Sequence, residues 1–264
     1  CMVVVSAMGG KPKTTDLLLD CVKLAADRRD VQPLMGAILA KHETCLRDLF
    51  PSSAEEGNRL MSIIQQDLRD IADILKTVSL MKWNAHRISE AVSGYGELWS
   101  TKILAALLRQ RALTAKQEYD IDAGAPSDDD EDECDATTDA GEHAFVYLDA
   151  RRVITVDEDA IEDGVIEWTI SQNKLQDVYA QELAKLPSTA RLHFIMTGYV
   201  ASNTNGVATT LQRDGSDYSA AILGKLLQST GITIWTDVDV VLTADPRRVP
   251  LCQVLQQVSY NEAR

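Results

Sequence analysis

Residues 209–220 read Thr-Thr-Leu-Gln-Arg-Asp-Gly-Ser-Asp-Tyr-Ser-Ala, and Trp235-Thr-Asp-Val-Asp239 and Thr243-Ala-Asp-Pro-Arg247 follow shortly after. The first stretch is a turn of small residues that carries one arginine and one aspartate and opens into a helix. The second reads as a buried strand (Ile232, Ile234, Trp235) ending in acidic and hydroxyl residues. Together they describe a site with a phosphate on one side and a nucleotide on the other. Strand, turn and helix in this order are the unit of an α/β layer, where ligands collect at the carboxyl ends of strands.

Gly215 and Ser216 carry little or no side chain, so the backbone there can approach a ligand closely. Ser216 or Asp217 stands where a helix N-cap belongs, ahead of the apolar run Tyr218–Leu227. A helix N-terminus offers unpaired N–H groups and a partial positive charge, which suit a phosphoryl group. Arg213 adds a planar donor fork that matches a carboxylate or a phosphate. Asp217 can hold a metal or orient a lysine. Read locally, the same residues also suit an ordinary capped helix after a polar turn.

The rest of the chain reads as alternating strands and helices. Met2–Ala7 is a β-branched strand bounded by Gly9-Gly10, with a helix over Leu17–Arg28 that Thr15 or Asp16 caps. A helix over 34–50 stops at Pro51. The clearest helix is 58–82, where Leu60, Ile64, Leu68, Ile71, Leu75 and Val78 line one face. Another covers Leu98–Leu113, capped near Gly96-Glu97. Residues 122–143 form a polar, acidic loop. Short strands are expected at 145–148, 153–156, 192–200, 207–211 and 232–238, a loop at 198–206, and helices at 174–186 and 217–229. This alternation predicts α/β layers around a mainly parallel sheet.

Composition limits the function. The chain has 264 residues, is 45% apolar and carries a net charge of −14, with no basic stripe to serve a nucleic-acid partner. Seven of the negative charges sit in Asp128–Glu133 and Asp135, a run that reads as a solvated insert. The five cysteines show no paired spacing, which suits reduced thiols. His42, His86, His143 and His193 share no metal-ligand spacing, and no metal ligands are assigned. No apolar run is long enough for a membrane span, and no targeting peptide is visible.

Arg213-Asp-Gly-Ser-Asp-Tyr-Ser-Ala-Ala-Ile222 resembles the aspartate kinase signature, and Trp235–Asp239, Thr243–Arg247 and Leu255…Ser259-Tyr-Asn-Glu-Ala263 are similar to the stretch that follows it. Val3–Met8 and Thr14–Leu18 resemble the family's second strand and substrate turn. Gly94-Tyr-Gly-Glu-Leu98 with Ser100-Thr101 resembles its Gly-Glu substrate motif. Four separated motifs in one order are far more specific than any alone. The form of the motifs looks most like the kinase part of bifunctional aspartate kinase–homoserine dehydrogenases.

The resemblance implies a three-layer α/β/α sandwich with a mainly parallel central sheet. It implies an amino-acid-substrate lobe over 1–190 and a nucleotide-binding lobe over 191–264. The implied reaction is ATP-dependent phosphorylation of the L-aspartate side-chain carboxylate, with Mg2+ accompanying ATP. By the same resemblance, Arg213 clamps the substrate's α-carboxylate, Glu97 accepts its ammonium group, and Ser6 and Thr15 line the substrate, with Thr14 the alternative to Thr15 because the insertion Gly9–Lys13 lengthens the loop before them. Asp217, with the backbone at Gly215 and Ser216, organises the phosphoryl region, while Thr236, Asp237 and Arg247 hold the nucleotide. A homo-oligomer is implied for the full-length protein, in the cytoplasm or in a plastid.

The family's first strand, Lys-Phe-Gly-Gly-Thr-Ser with its lysine, lies outside this chain, so the chain reads as a fragment with impaired activity of its own. Departures from the family pattern are Tyr95 for the usual histidine, the insertion Gly9–Lys13, Val240 for a glycine and Leu242 for a tyrosine. Two other readings remain open here: another amino-acid-kinase-fold enzyme, and a non-catalytic or regulatory copy.

Overall fold

The structure is a computed structural model; it describes residues 1–51, 53–81, 85–122, 143–157, 165–211, 215–235, 242–244, 248–249 and 251–259. The chain divides into two compact units, Cys1–Thr230 and Gly231–Arg264.

The first unit is built on a parallel sheet. Its strands are β1 (Met2–Val5), β2 (His143–Leu148) and β4 (Arg191–Thr197), in the order β1-β4-β2. β1 pairs with β4 in parallel, Met2 to Phe194 through Val5 to Thr197, and β2 pairs with the other side of β4, His143 to Arg191 through Leu148 to Met196. A smaller sheet joins β3 (Thr155–Val156), β5 (Val200–Asn203) and β6 (Ala208–Thr210), with β3 and β5 parallel and β5 and β6 antiparallel.

Strand alternation distributes side chains to two faces. Met2, Val4, Val146, Phe194 and Met196 lie on one face, in a single core with Leu175 and Val178 of α6 (Trp168–Leu183) and Ile222, Leu223 and Leu226 of α7 (Gly215–Leu226). Tyr147 and its register partner Ile195 point to the other face, where Lys102 of α5 (Tyr95–Asp122) has its ammonium 5.9 Å from the Tyr147 ring centroid. The parallel sheet is therefore sandwiched between α5 and the α6–α7 pair, the three layers anticipated from the sequence.

Beyond α5 lies a helical core made by α1 (Thr14–Ala26), α2 (Gln32–Leu49) and α3 (Ala54–Met81) with Trp99, Ile103 and Ala106 of α5. All six residues of the α3 stripe, Leu60 through Val78, are buried, as a helix facing a core requires. Trp99 is fully buried, and its indole Nε1 donates to Asp67 of α3 at 2.8 Å, the polar tip finding the partner that burial demands. Among the described residues no helix is long and apolar enough to cross a membrane.

Several expectations need correction. Residues 198–206 are not one loop: Val200–Asn203 is β5, held by β6 across a turn in which Asn203 accepts from Asn205 and Val207. A four-residue Val-Ala-Ser-Asn strand has no apolar run of its own, so only the partner strand reveals it. Helix α4 (Ala85–Ser93) was not anticipated, and α5 continues well past Leu113. Neither Thr15 nor Asp16 caps α1, whose N-cap is Lys13, without a side-chain cap bond. Ser216 and Asp217 lie inside the first turn of α7 rather than at its cap. Residues 232–235 are irregular, not a strand, and Ile232, Ile234 and Trp235 are exposed, Trp235 at 92%. The remainder of that expected strand, 236–238, and the centre of the acidic insert lie outside the described residues. In the second unit, Leu242 forms an antiparallel bridge with Val254, and Thr243 N–H donates to the Gln253 carbonyl at 2.9 Å.

Candidate active site

Three helix N-termini meet at the carboxyl ends of β1 and β4, where an α/β layer places its ligands. The strand ends are themselves joined: Gly198 N–H, just past β4, donates to the Val5 carbonyl at 2.9 Å.

The first helix is α5. Its opening turn is Tyr95-Gly-Glu-Leu-Trp, and Gly96 packs so closely on the residue after Ser6 that a Cβ there would lie 2.7 Å from Cβ of Ala7. The side chain of Ser100 closes the contact by donating to the Ser6 carbonyl at 2.6 Å. This approach holds Glu97 in place. Glu97 is 5% exposed, and its Oε2 has no hydrogen-bond partner. Burial pushes its carboxyl up from 4.5 to about 7, and backbone hydrogen bonds from its own N–H and from Ala7 offset only part of that. A buried carboxyl with an open oxygen invites a cationic donor.

The second helix is α1. Thr14 is fully buried, its methyl carbon faces Gly96, and its hydroxyl has no partner. Thr15, the residue expected to line the substrate, is only half-buried in the same turn. Two unpartnered polar atoms, Thr14 Oγ1 and Glu97 Oε2, thus lie buried on α1 and α5, the two helices in contact at Gly96. The loop between β1 and α1 is pinned from α2: Lys41 Nζ donates to the carbonyls of Gly9, Pro12 and Met8 at 2.5, 2.8 and 3.4 Å.

The third helix is α7. Gly198 and Gly215 let the turn after β4 sit directly on its first turn. A Cβ on Gly198 would come within 2.8 Å of the Ser216 Cα, and one on Gly215 within 2.9 Å of the Tyr199 Cα. Ser219 locks the junction, accepting from Tyr199 N–H at 3.0 Å and donating to the Gly215 carbonyl at 2.7 Å. Gly215 is buried beneath Tyr199, Ser216 is half-buried, and the N–H groups of a helix's first turn are the kind of donor that holds an anion. Asp217 lies in that turn, exposed.

Of the site residues named from the sequence, the structure gathers Ser6, Glu97, Gly215, Ser216 and Asp217 at this end of the sheet, with Thr15 beside the buried Thr14. Arg213, Thr236, Asp237 and Arg247 lie outside the described residues, as does Val240. The sequence left the choice between Thr14 and Thr15 open, and the structure buries Thr14. The sequence reading missed the Gly198-Tyr199 turn, whose signal was a glycine directly after an apolar strand.

The sequence model of the amino acid kinase family matches residues 1–264, the whole chain. The chain belongs to the amino acid kinase family. Relatives within reach of this amino acid kinase chain include two Arabidopsis thaliana proteins, the chloroplastic bifunctional aspartokinase/homoserine dehydrogenases 1 and 2. They are 32% and 31% identical to it over 263 residues, 99% of this chain and 24% of each relative. Bifunctional aspartokinase/homoserine dehydrogenase 2 of Escherichia coli (strain K12) is 29% identical over 263 residues, 99% of this chain and 26% of that protein. The chain therefore spans about a quarter of the length of these relatives. The amino acid kinase fold superimposes on E. coli aspartokinase III in complex with lysine and aspartate (T-state). The TM-score is 0.65 at 22% identity, covering 96% of this chain and 46% of the other. The R-state of that enzyme with aspartate and ADP gives 0.60 at 23% identity over the same shares.

Proposed function

We propose that the protein to which this chain belongs is an aspartate kinase, transferring the γ-phosphoryl group of ATP to the side-chain carboxylate of L-aspartate. The products are 4-phospho-L-aspartate and ADP, at the head of lysine, threonine and methionine biosynthesis. The observation that carries this reading is the pair of unpartnered buried groups, Glu97 Oε2 and Thr14 Oγ1, at the end of the sheet where α7 also begins. Relatives named aspartokinase support it, as does a shared fold with a protein solved with aspartate and ADP.

The roles follow from charge. Glu97, ionised, takes the substrate ammonium group, and Thr14 or Thr15 and Ser6 complete the pocket around it. Arg213 holds the α-carboxylate. The first turn of α7, with Gly215, Ser216 and Asp217, faces the transferring phosphoryl group, and Thr236, Asp237 and Arg247 hold the nucleotide. A carboxylate is already a nucleophile, so no strong base is needed, and the protein contributes positioning and charge neutralisation. Mg2+ arrives with ATP and neutralises phosphate charge; among the described residues no three His, Cys, Asp or Glu side chains gather to hold an ion alone. The division into an amino-acid lobe over 1–190 and a nucleotide lobe over 191–264 is proposed as one of function alone: β4, which starts at residue 191, is the central strand of the first unit's sheet, and the compact units divide at residue 230. A homo-oligomer is proposed for the full-length protein, in a plastid or in the cytoplasm.

Hydroxylamine trapping of acyl phosphate, run on the full-length protein with L-aspartate, L-glutamate and N-acetylglutamate, tests the reading. Aspartate-dependent hydroxamate that disappears in Arg213→Ala supports it. Turnover of another acceptor, or of none, overturns it.

A further inference from the structure

Tyr199 occupies an unusual place. Its backbone is left-handed, with φ 66°, a conformation costly for a bulky aromatic and kept only where surroundings impose it. Four contacts impose it. Its N–H donates to Ser219 Oγ at 3.0 Å, and its carbonyl accepts from Leu211 N–H at 2.7 Å. Its ring lies over the Cα of Gly215, in the space a side chain would otherwise fill. Its hydroxyl meets Ser93 Oγ at 3.3 Å.

Ser93 is the last residue of α4, fully buried, and its hydroxyl also reaches the Glu90 carbonyl at 3.1 Å. Gly94 follows it and packs on β5, where an added Cβ would lie 2.5 Å from Cγ1 of Val200. The next residues are the α5 turn that carries Glu97. One side chain thus touches both the helix that begins at Gly215 and the junction from which Glu97 projects.

We propose that Tyr199 is a positioning residue that sets the separation between the acceptor pocket at α5 and the phosphoryl-binding turn of α7. The inference rests on the aspartate kinase reading of the site. In-line transfer requires the acceptor oxygen and the phosphorus within about 3–3.5 Å, and a displacement of about 1 Å costs on the order of 100-fold in rate. The tie has two halves: the ring on Gly215 and the hydroxyl on Ser93. Removing the hydroxyl leaves each half-site intact and lets their separation drift. Water then competes with aspartate for the phosphoryl group, giving ADP and inorganic phosphate in place of ADP and aspartyl phosphate.

The test uses the full-length protein with Tyr199→Phe, Ser93→Ala, the double variant and Ser93→Thr. The first reading is the ratio of ADP released to hydroxamate trapped, which is independent of the folded fraction. Tyr199→Phe and Ser93→Ala should each raise this ratio about threefold or more, the double variant no further, and Ser93→Thr should restore it. A ratio that stays at the wild-type value while total rate falls makes Tyr199 merely structural and overturns the inference. The second reading is amide hydrogen exchange, which needs no turnover. Ser93→Ala should quicken exchange at the α7 first turn as well as at 95–98, and Tyr199→Phe should do the same at 95–98. Effects confined to the altered residue's own side overturn the tie even if the wild-type protein phosphorylates a different acceptor. A wild-type protein inert toward aspartate, with exchange still coupled across the tie, refutes the aspartate kinase reading and leaves the tie standing.

Discussion

The first turns of α5 and α7 are built alike and do opposite things. Each opens at the carboxyl end of a strand, and each uses glycine to bring backbones into contact, Gly96 on Ala7 and Gly198 on Ser216. At α7 the turn begins with Gly215 and Ser216, its carboxylate Asp217 is exposed, and the N–H groups of such a turn suit an anion. At α5 the glutamate is buried instead, with one oxygen unpartnered. The same backbone device therefore suits an anion where the turn's carboxylate is exposed and a cation where the carboxylate is buried and unpartnered. The site's charge preference is written in one side chain per helix, not in the architecture.

Exchanging that one side chain should have the largest effect. Glu97→Gln keeps the shape and removes the charge, and kcat/KM for aspartate should fall on the order of 1,000-fold, as for other buried charge pairs with one partner lost. The same change should stabilise the protein. With its folded pKa near 7 and its unfolded value near 4.5, Glu97 holds a proton in the folded state that the unfolded chain has already released. Wild-type stability is thus lost as pH rises from 4.5 to 7 and the loss is complete above 7, so Gln should raise stability at pH 8 by on the order of 2–3 kcal/mol and little at pH 4. Thermal melts at the two pH values check this. A variant no more stable at pH 8 than at pH 4, relative to wild type, would show that Glu97 is ionised and already paired.

Glycine changes should separate the two turns. In Gly198→Ala the new methyl meets the backbone of Ser216, and kcat should drop about 100-fold with aspartate binding nearly unchanged. In Gly96→Ala it meets Ala7, and aspartate affinity should suffer first. Equal effects of both on KM and kcat would mean the two turns move as one body.

A smaller effect is expected from pH. If the ammonium group binds only ionised Glu97, aspartate affinity should improve about tenfold between pH 6 and pH 8 and level off above the carboxyl's value of about 7. Calorimetry in buffers of different ionisation heat should show a proton released on binding at pH 6.5, and no proton release would remove Glu97 from the ammonium site. Smallest is Thr14→Val, which replaces an unpartnered buried hydroxyl with a methyl. It should stabilise the apo protein by about 1 kcal/mol, read from denaturant midpoints, and weaken aspartate binding if that hydroxyl is used.

The parts of this comparison that were legible in the sequence are those that depend on local pattern. The α3 stripe, the Val-rich β1 and the small-residue turn before α7 each carry their own periodicity or composition. Glu97 stood out because Gly-Tyr-Gly precedes it. The illegible parts depend on what lies across the fold. Gly94 is the single turn residue between α4, which ends at Ser93, and α5, which begins at Tyr95, and what requires glycine there is Val200 across the fold. β5 exists because β6 pairs with it. Thr14 and Thr15 are indistinguishable as letters, and only the pitch of α1 decides which one is buried. Ile232, Ile234 and Trp235 had the composition of a buried strand, but apolar side chains alone do not supply a ladder partner.

The clamp of Lys41 on the loop after β1 has a consequence for how such a site can change over generations. An insertion beside a pocket ordinarily adds slack, and slack next to a ligand erodes selectivity. Here one ammonium group gathers three carbonyls from Met8, Gly9 and Pro12 and returns the longer loop to Thr14 without slack. The loop is then free to vary in length and in its exposed residues, provided the lysine survives, because a residue borrowed from α2 has taken over the bookkeeping of its shape.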